Sequence, residues 1–543
     1  MKHLKKHLAS YLLLCILCAA FFLRSVQLST VPNGFHADEA SFLLNAVTIL
    51  QTGRDEDNRF LPVVLTSLID PKPAAYSYLQ IPFIALFGPT VFAARIPAVI
   101  LGVLSIYLVF LILKRVGYQT LGICVAAVLA ISPWHIVISR ATQEVVLALT
   151  ATLAAIVCFI AYWKNQKIQT AFWLLFFSFF ALYNYHSAKI FLPSLFIVWS
   201  LFLYISQKLP KKFFITIGAI CIVALCASFL IQESTSRFSA VGILSNIEPQ
   251  ISINEQITAA TPLAPQVLLR TFYNKPVTYA TSALQEYMHY FSADFLFFSG
   301  GEPKRYFIPF HGLLYLFEIP LLLAGCILAL RKKHKLFWFV FTAALLAPLP
   351  AALTYQETPS MIRTVPLLIA LSFFIGYALE QLLQKPERIK IGVTLVLLPV
   401  VIWQLSYFWM QLSVQQKVYR PWHRNTPYTA IAQKLTTIEP NYTTIRVVND
   451  LRPLYAYFAL EYLIPLNTLQ SHPFERQKEQ ARLGKYEFTR GNCDFGTLND
   501  QTLYVAETEC RRSFTHSGNL HVIDTITYDD GTAVYEFLTY SKE

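Results

Sequence analysis

Hydrophobic stretches long enough to cross a lipid bilayer recur along the chain from Leu8 to Met410 and then stop. A helix of roughly 20 apolar residues covers the hydrocarbon core of a bilayer. The pattern predicts eleven such spans, near residues 8–28, 90–113, 119–137, 144–163, 169–186, 190–207, 213–231, 312–330, 336–353, 364–384 and 391–410. We therefore predict a polytopic α-helical membrane protein, with a transmembrane domain at 1–410 and a tail at 411–543.

The charges between these spans predict the orientation of the chain. Six segments that would share one side of the membrane contain 17 Lys and Arg residues and one acidic residue, Glu387. Because cytoplasmic loops are rich in Lys and Arg, we predict that these segments are cytoplasmic. The N-terminus also has the form of a signal peptide, but cleavage would put the basic segments on the wrong side, so we interpret it as an uncleaved first helix. The loops at 29–89 and 232–311 and the tail then lie on the outer face of the plasma membrane.

The composition excludes several classes of protein. Hydrophobic residues make up 55% of the chain and charged residues only 14%, which rules out a soluble enzyme. The net charge of +12 is explained by the cytoplasmic segments, so we predict no nucleic-acid partner. The sequence contains no HExxH, Walker A or GxGxxG motif, which argues against a zinc protease, an ATP-driven pump and a dinucleotide enzyme.

The tail has the pattern of a small α/β domain. Alternating residues predict strands in TIRVVND, TLYVAET, LHVIDTI and AVYEFLTY, and helices are predicted in YTAIAQKLTTI and from Pro473 to Leu483. Cys493 and Cys510 are the only cysteines outside the predicted spans. On an oxidising outer face we expect them to form a disulfide, with two buried free thiols as the alternative.

The first outer loop, residues 29–89, is much longer than a connection between two spans needs to be. After Asp38 and Glu39 a helix is predicted in which Asn45, Thr48 and Gln51 form a narrow polar stripe. A second helix is predicted from Ala74 to Phe87. We expect both helices to lie in the membrane interface, close to where lipid headgroups sit.

Asp38 and Glu39 have two compatible interpretations. Acidic residues are favourable in the first turn of a helix, and Asp is a common N-cap. A carboxylate in that position stays ionised and takes a proton only from a group that is becoming strongly acidic. Sugar transfer from a lipid phosphate presents such a group, because the acceptor hydroxyl loses its proton late in the reaction.

The leaving phosphate of such a reaction needs cations. Basic residues at the outer ends of the predicted segments could supply them: Lys72, Arg95, Arg140, Arg305 and Arg363. Each could instead be a side chain that reaches from the end of a span to the interface. Arginines are unexpected at several outer span ends, which favours the phosphate role for the set as a whole.

A metal site has weaker support in the sequence. The acidic run Asp55, Glu56 and Asp57 is more typical of a solvated turn than of a cation site. His36, His135, His186 and His311 lack a histidine partner four residues away, so we do not assign them to zinc.

Several segments resemble the membrane glycosyltransferases of the GT-C class. They are PNGFHADEASFLLNAVTILQTGRDEDNRFLP, DPKPAAYSYLQIPFIALFG, VFAARIPAVILGVLSIYLVFLILKR, SPWHIVISRATQE, ADFLFFSGGEPKRYFIPFHGLLYLFEIPLLLAG and ETPSMIRTVPLLIALSFFIGYALE. The resemblance is to bacterial relatives of the protein O-mannosyltransferases and of the lipid A aminoarabinose transferases, the glycosyltransferase family 39 group. It extends over most of residues 1–410.

The resemblance implies roles for individual residues. Asp38 takes the position of the catalytic base, with Glu39 beside it, and Arg95 matches an arginine at the start of the second span. Lys72 matches a phosphate-binding lysine of the aminoarabinose branch, and His311 is the candidate for a histidine of its second outer loop. Pro71 occupies the place of that branch's metal-binding Glu, and Asp70 precedes it, so the family's metal site is incomplete here.

The sequence as a whole predicts an inverting hexosyl- or pentosyltransferase. It would move a sugar from a polyprenyl-phosphate donor to a hydroxyl of a protein, lipid or cell-wall glycan on the outer face, with no required cofactor and a divalent metal left open. A transporter or flippase for a lipid-linked glycan is the alternative, but it would place ionisable residues at the bilayer midplane. A non-catalytic anchor for the tail would leave the long first loop unexplained.

Overall fold

The computed structural model describes residues 2–66, 71–207, 209–231, 241–449, 454–472, 480–491, 493–514 and 519–541. Its α-helices are α1 Lys2–Ser25, α2 Ala37–Thr52, α3 Ala75–Phe87, α4 Val91–Arg115, α5 Gln119–Ile131, α6 Pro133–Ile138, α7 Glu144–Asn165, α8 Ile168–Asn184, α9 Ala188–Gln207, α10 Lys211–Ile231, α11 Glu248–Ala260, α12 Gln266–Phe272, α13 Lys275–His289, α14 Glu318–Arg331, α15 Phe337–Leu346, α16 Leu349–Ala352, α17 Val365–Leu383, α18 Glu387–Met410, α19 Gln416–Val418, α20 Thr426–Ile438, α21 Leu454–Leu460, α22 Leu466–Ser471 and α23 Thr508–Ser513. The strands are β1 Val64–Leu65, β2 Lys72–Pro73, β3 Thr444–Val448, β4 Gln480–Leu483, β5 Tyr486–Thr489, β6 Thr502–Glu507, β7 Leu520–Thr527 and β8 Ala533–Tyr540.

Apolar helices dominate the chain up to residue 410. Within the described ranges, seven helices are long and apolar enough to cross a membrane, and four shorter helices are also apolar. Ten of the eleven predicted spans fall on these helices, and the one at 312–330 falls on the 14-residue helix α14. The prediction of a polytopic helical membrane protein with a small α/β tail is confirmed, while the number of spans stays a prediction.

The chain divides into two compact units. Unit 1 contains residues 1–24, 99–139 and 144–409, and unit 2 contains residues 25–98, 140–143 and 410–543. The sequence placed the first loop in a transmembrane domain ending at 410, whereas in the structure this loop belongs to the same unit as the tail. The loop belongs to unit 2 because its helix α2 shares a hydrophobic core with the tail.

Close helix packing in unit 1 depends on glycine. A Cβ added at Gly325 of α14 would lie 1.8 Å from the carbonyl oxygen of Phe374 in α17. A Cβ at Gly376 would lie 2.6 Å from the side chain of Val125 in α5. The absence of a side chain at both positions therefore lets α17 pack tightly between α14 and α5.

The tail forms a six-stranded mixed sheet in the order β4-β5-β3-β6-β8-β7. Strand β3 is parallel to β5 and β6, and the other neighbouring pairs are antiparallel. The four predicted strands are present, and the predicted helix at 428–438 is the main part of α20. The helix predicted from Pro473 to Leu483 is wrong over its last four residues, where residues 480–483 are strand β4. Residues 473–479 of this prediction lie outside the described ranges, and so does Asp70. Ala481 and Leu483 are buried while Gln480 and Arg482 are exposed, a two-residue period that fits a strand.

Helix α2 is part of a hydrophobic core in unit 2. Twelve of its 16 residues are buried. Ala40, Leu43 and Leu44 belong to the same core as Tyr455 and Phe458 of α21. A helix that is apolar on nearly all sides is stable where it is covered on all sides, and α3 and α21 both pack against α2.

The polar stripe of α2 is buried as well. Asn45 and Thr48 are fully buried, and only Gln51 of the three is exposed. The amide of Asn45 donates to the Glu56 carboxylate at 3.1 Å and accepts from the Glu56 backbone N–H at 3.2 Å. The stripe therefore binds the acidic turn that follows the helix.

The acidic turn is also not solvated, which corrects the prediction for residues 55–57. Asp55 and Glu56 are buried, at 0% and 1% exposure. The Asp55 carboxylate accepts from the Arg59 guanidinium at 2.7 and 2.9 Å. Glu56 accepts from the hydroxyl of Tyr455 at 3.2 Å. The carboxylates are buried because each has specific hydrogen-bond donors.

Cys493 and Cys510 are joined by a disulfide in the structure, with Cα atoms 5.1 Å apart. Cys510 is buried beside Phe495 and Tyr504, in a second small core of the tail. Closing a loop of this length should stabilise the tail by about 3 kcal/mol in the chain-entropy account.

We expect alkylation of the denatured protein to label Cys493 and Cys510 only after reduction. A Cys493→Ser, Cys510→Ser variant should unfold its tail at lower denaturant concentration. Labelling of both thiols without reductant would contradict the disulfide, and it would also argue against an oxidising environment for the tail.

Candidate functional site

Asp38 lies in the first turn of α2, but it does not cap the helix. The N-cap is His36, whose Nδ1 accepts from the Asp38 backbone N–H at 3.1 Å. Glu39 accepts from the His36 backbone N–H at 3.2 Å and completes a capping box. Capping therefore does not account for the Asp38 carboxylate.

The Asp38 carboxylate forms an ion pair with the ammonium of Lys72. Strand β2 pairs Lys72 with Leu65 of β1, which fixes the backbone at this point. The Lys72 side chain is nearly buried, with its ammonium 5.5 Å from the centre of the Phe42 ring. Asp38 is 28% exposed. The structure thus brings together a solvent-accessible carboxylate and a rigidly held ammonium that are 34 residues apart in the sequence.

Glu39 is part of a buried ionic network. Its carboxylate accepts from Arg95 at 2.9 and 3.0 Å and from Arg424 at 2.8 Å. It also accepts from the backbone N–H of Thr142 at 2.9 Å. Burial would raise the pKa of Glu39, but Arg95, Arg424 and the hydrogen bonds outweigh it and lower the pKa to about 2. A buried carboxylate bound by two arginines and with so low a pKa is a poor proton acceptor, which favours a structural role for Glu39 over the predicted catalytic one.

Arg95 lies inside the protein, bound to Glu39. It is fully buried, and its guanidinium donates twice to Glu39. Its remaining N–H groups donate to backbone carbonyl oxygens of Leu28, Pro32 and Gly34. A guanidinium has five N–H groups, and all five are used inside the protein.

Arg140 is likewise a structural residue. It is fully buried and donates to the carbonyl oxygens of Val26 at 2.6 Å and Val31 at 2.7 Å. Burial and the nearby charge of Arg95 lower the pKa of Arg140 to about 9. This buried position favours a structural role over the predicted contact with a phosphate. Together Arg95 and Arg140 fix the irregular chain from residue 26 to residue 34, which leads into α2.

The low pKa of Glu39 predicts a specific sensitivity to acid. Because the pKa falls from its ordinary value of 4.5 to about 2 on folding, the contribution of Glu39 to stability is complete above pH 4.5 and is lost as the pH falls through 2. A shift of this size corresponds to about 3 kcal/mol. We expect the unfolding midpoint of the detergent-solubilised protein to fall more steeply between about pH 5 and pH 2 than that of Glu39→Gln. Equal slopes would contradict the role given to this carboxylate.

The remaining predicted residues belong to unit 1. Arg305 binds the carboxylate of Glu357 at 3.0 Å, and Arg363 lies 4.0 Å from the same carboxylate. Arg363 also donates to the hydroxyl of Thr354 at 2.8 Å. Both arginine side chains are 17% exposed, so they remain candidates for a phosphate.

His311 is mostly buried in an aromatic cluster of unit 1. Its ring contacts those of Tyr315, Tyr407 and Phe408, and its Nδ1 is 2.7 Å from the carbonyl oxygen of Gly312. Burial lowers the pKa of His311, which favours the neutral ring. No group of three or more His, Cys, Asp or Glu residues suited to a metal occurs within the described ranges.

Sequence reasoning missed Arg424, Asn425, Thr142 and the capping role of His36. His36 could have been found, because a capping residue followed three positions later by Glu is the capping-box spacing. Arg424 and Asn425 lie more than 380 residues from α2 in the sequence, and nothing in the segment PWHRNTP indicates that contact.

Comparisons with known proteins agree with this architecture. Residues 71–231 match the family described as dolichyl-phosphate-mannose-protein mannosyltransferase. The crystal structure of ArnT from Cupriavidus metallidurans bound to undecaprenyl phosphate is similar with a TM-score of 0.57 at 12% identity, over 96% of this chain and 97% of that chain. A comparison with curated proteins finds no match.

Two archaeal structures are also similar. The oligosaccharyltransferase of Archaeoglobus fulgidus tethered to an acceptor peptide gives a TM-score of 0.53 at 11% identity, over 100% of this chain and 75% of that chain. The oligosaccharyltransferase AglB of the same organism, in complex with an inhibitory peptide and a dolichol-phosphate, gives 0.51 at 11% identity, over 98% and 74%. The chain therefore has the fold of the GT-C class of membrane glycosyltransferases, as its sequence predicted.

Proposed function

We propose that this protein is an inverting glycosyltransferase that moves a sugar from a polyprenyl-phosphate donor to an acceptor hydroxyl. The observation that carries the proposal is the Asp38–Lys72 pair, a partly exposed carboxylate beside a buried ammonium in a GT-C fold. The family match over residues 71–231 supports a sugar-transfer reaction. The ligands named for the similar structures, undecaprenyl phosphate and dolichol-phosphate, support a lipid phosphate as the donor.

In the proposed reaction Asp38 is the base. The acceptor oxygen bonds to C1 of the sugar from the side opposite the phosphate, and the C1–O bond to the phosphate breaks with both electrons remaining on the phosphate oxygen. The acceptor proton passes to Asp38 and then to water. The products are the glycosylated acceptor, with inverted configuration at C1, and the polyprenyl phosphate.

Cations would stabilise the charge that develops on the leaving phosphate. Lys72 has three N–H groups, so it can bind Asp38 and a phosphate oxygen at the same time. Arg305 and Arg363 are the partly exposed arginines that we propose for further contacts with the donor. Arg95 is left out of this role because all five of its N–H groups bind within the protein. Arg140 is left out because its guanidinium binds the carbonyl oxygens of Val26 and Val31.

The acceptor is proposed to be a hydroxyl of a protein, a lipid or a cell-wall glycan on the outer face of the plasma membrane, and the sugar a hexose or a pentose. The direct test is an assay of the purified chain with synthetic polyprenyl-phosphate sugars and a panel of such acceptors. We expect acceptor-dependent release of free polyprenyl phosphate. Movement of the intact donor across a vesicle membrane without release would instead favour a flippase. A parallel assay with a chelator distinguishes the proposed cofactor-independent reaction from a metal-dependent one.

Removing the charge of Lys72 should slow transfer more than it weakens donor binding. We expect Lys72→Gln to lower kcat by about 100-fold, since the phosphate's negative charge grows towards the transition state. Lys434→Gln is the matched control, because Lys434 forms an ion pair with Asp524 within the tail. A raised KM for the donor with an unchanged kcat would show that Lys72 contributes to donor binding and not to the rate of transfer.

A further inference from the structure

A short segment of the tail contacts the beginning of α2 directly. The guanidinium of Arg424 donates to Glu39 at 2.8 Å and to the carbonyl oxygen of Asn33 at 2.8 Å. The side chain of the next residue, Asn425, accepts from the backbone N–H of Ala37 at 3.2 Å. The tail thus binds the chain immediately before Asp38 and the residue immediately after it.

The backbone of this tail segment is shaped for the contact. Residues Pro421–Arg424 form a single 3₁₀ turn between two residues in the left-handed region, Arg420 at φ 54° and Asn425 at φ 55°. A side chain in this region is uncommon, and Asn tolerates it best. On the other side, a Cβ added at Gly34 would lie 2.8 Å from the carbonyl oxygen of Arg424. The two segments therefore approach each other as closely as their backbones allow.

Other parts of the tail hold both ends of the same helix. The hydroxyl of Tyr457 donates to the carbonyl oxygen of Phe35 at 2.6 Å. Beyond the C-terminal end of α2, the amide of Gln470 donates to the carbonyl oxygen of Asp55 at 3.0 Å. The contacts of α2 with the tail are thus polar at both ends and apolar along its length.

We propose that Arg424 is a positioning residue for the proposed base, so that the tail completes the catalytic unit and is not an accessory domain. This inference rests on the proposed function of Asp38. Arg424 acts through Glu39, the neighbour of Asp38 in the first turn of α2, and through Asn33. A displacement of about 1 Å at a reacting group can lower a rate by about 100-fold, so the loss of this contact should affect turnover.

The experiment compares three variants of the full-length protein in the transfer assay. Arg424→Gln should lower kcat by about 10- to 100-fold with KM values within about twofold of wild type. Arg424→Lys keeps the charge beside Glu39 and should recover a large part of the lost kcat. Arg446→Gln is the matched control, because Arg446 binds Glu487 at 2.7 and 3.0 Å within the tail sheet. It should keep a kcat close to that of wild type.

A milder variant keeps the test decisive if Arg424→Gln does not fold. Asn425→Gly removes the hydrogen bond to Ala37 and preserves the left-handed backbone, so it should fold and lower kcat by about threefold to tenfold. A kcat equal to that of Arg446→Gln in either variant would overturn the inference. A raised KM with an unchanged kcat would overturn it too. If instead Asp38→Asn retains full activity, it is the proposed function that fails.

Discussion

Asp38→Asn is expected to lower kcat by about 10²- to 10⁴-fold, the usual contribution of a catalytic base. Asparagine has nearly the same shape as aspartate but cannot accept the acceptor proton. The variant should still fold, because His36 and Glu39 cap α2 and Asp38 does not. The measurement is acceptor-dependent release of polyprenyl phosphate, with the unfolding midpoint recorded on the same sample.

Asp524→Asn is the matched control for this experiment. Asp524 also forms an ion pair with a lysine, Lys434, but within the tail. We expect its kcat to match that of wild type. A comparable loss of kcat in both variants would show that the effect comes from the loss of an ion pair. Near-normal turnover of Asp38→Asn would contradict the catalytic assignment.

Arg95→Gln is expected to lower the free energy of unfolding by about 3–5 kcal/mol, the usual cost of removing one partner of a buried ion pair. The substitution leaves Glu39 without its bidentate partner and removes the donors to the carbonyl oxygens of Leu28, Pro32 and Gly34. Buried polar groups without partners account for most of this cost. Chemical unfolding in detergent measures it.

The control for Arg95 is an exposed arginine. Arg482 is 68% exposed and lies 3.7 Å from Glu487, so Arg482→Gln should change stability by less than about 1 kcal/mol. If Arg95→Gln proved as stable as wild type but bound the donor weakly, the phosphate role predicted from the sequence would be restored.

Local patterns were sufficient for much of the fold. Hydropathy located the apolar helices, because burial in a bilayer depends on the composition of each segment alone. The alternation of apolar and polar residues located the four tail strands β3, β6, β7 and β8. It could not show which strands are neighbours in the sheet. The short strands β4 and β5 were missed because four residues each, Gln480–Leu483 and Tyr486–Thr489, are too few to show a clear period.

Long-range pairing explains what the sequence could not predict. The polar stripe of α2 resembled a surface that faces headgroups. In the structure Asn45 binds Glu56, and the helix lies in a core that it shares with the tail, which the stripe alone does not indicate. Arg95 resembled a basic residue at the end of a span, because its partner Glu39 lies 56 residues away. The residues next to an arginine in the chain do not show whether its side chain forms a buried ion pair or lies exposed at the end of a span.

The residues of the candidate site were likewise predicted only in part. The resemblance to known glycosyltransferases indicated Asp38 and Lys72, and the structure pairs them. It could not separate Asp38 from Glu39, since the two carboxylates are adjacent in the chain. Their difference depends on Arg95, Arg424 and Thr142, which all bind Glu39.

The role of Asp38 is tested most directly by mass spectrometry of envelope glycans from cells that lack this protein, compared with cells in which it is restored as wild type or as Asp38→Asn. We expect one sugar to be missing from a specific glycan in the deficient cells. The wild-type protein should restore this sugar, and Asp38→Asn, present in the membrane in equal amount, should not. Restoration of the sugar by Asp38→Asn would show that Asp38 is not the base of a glycosyltransferase.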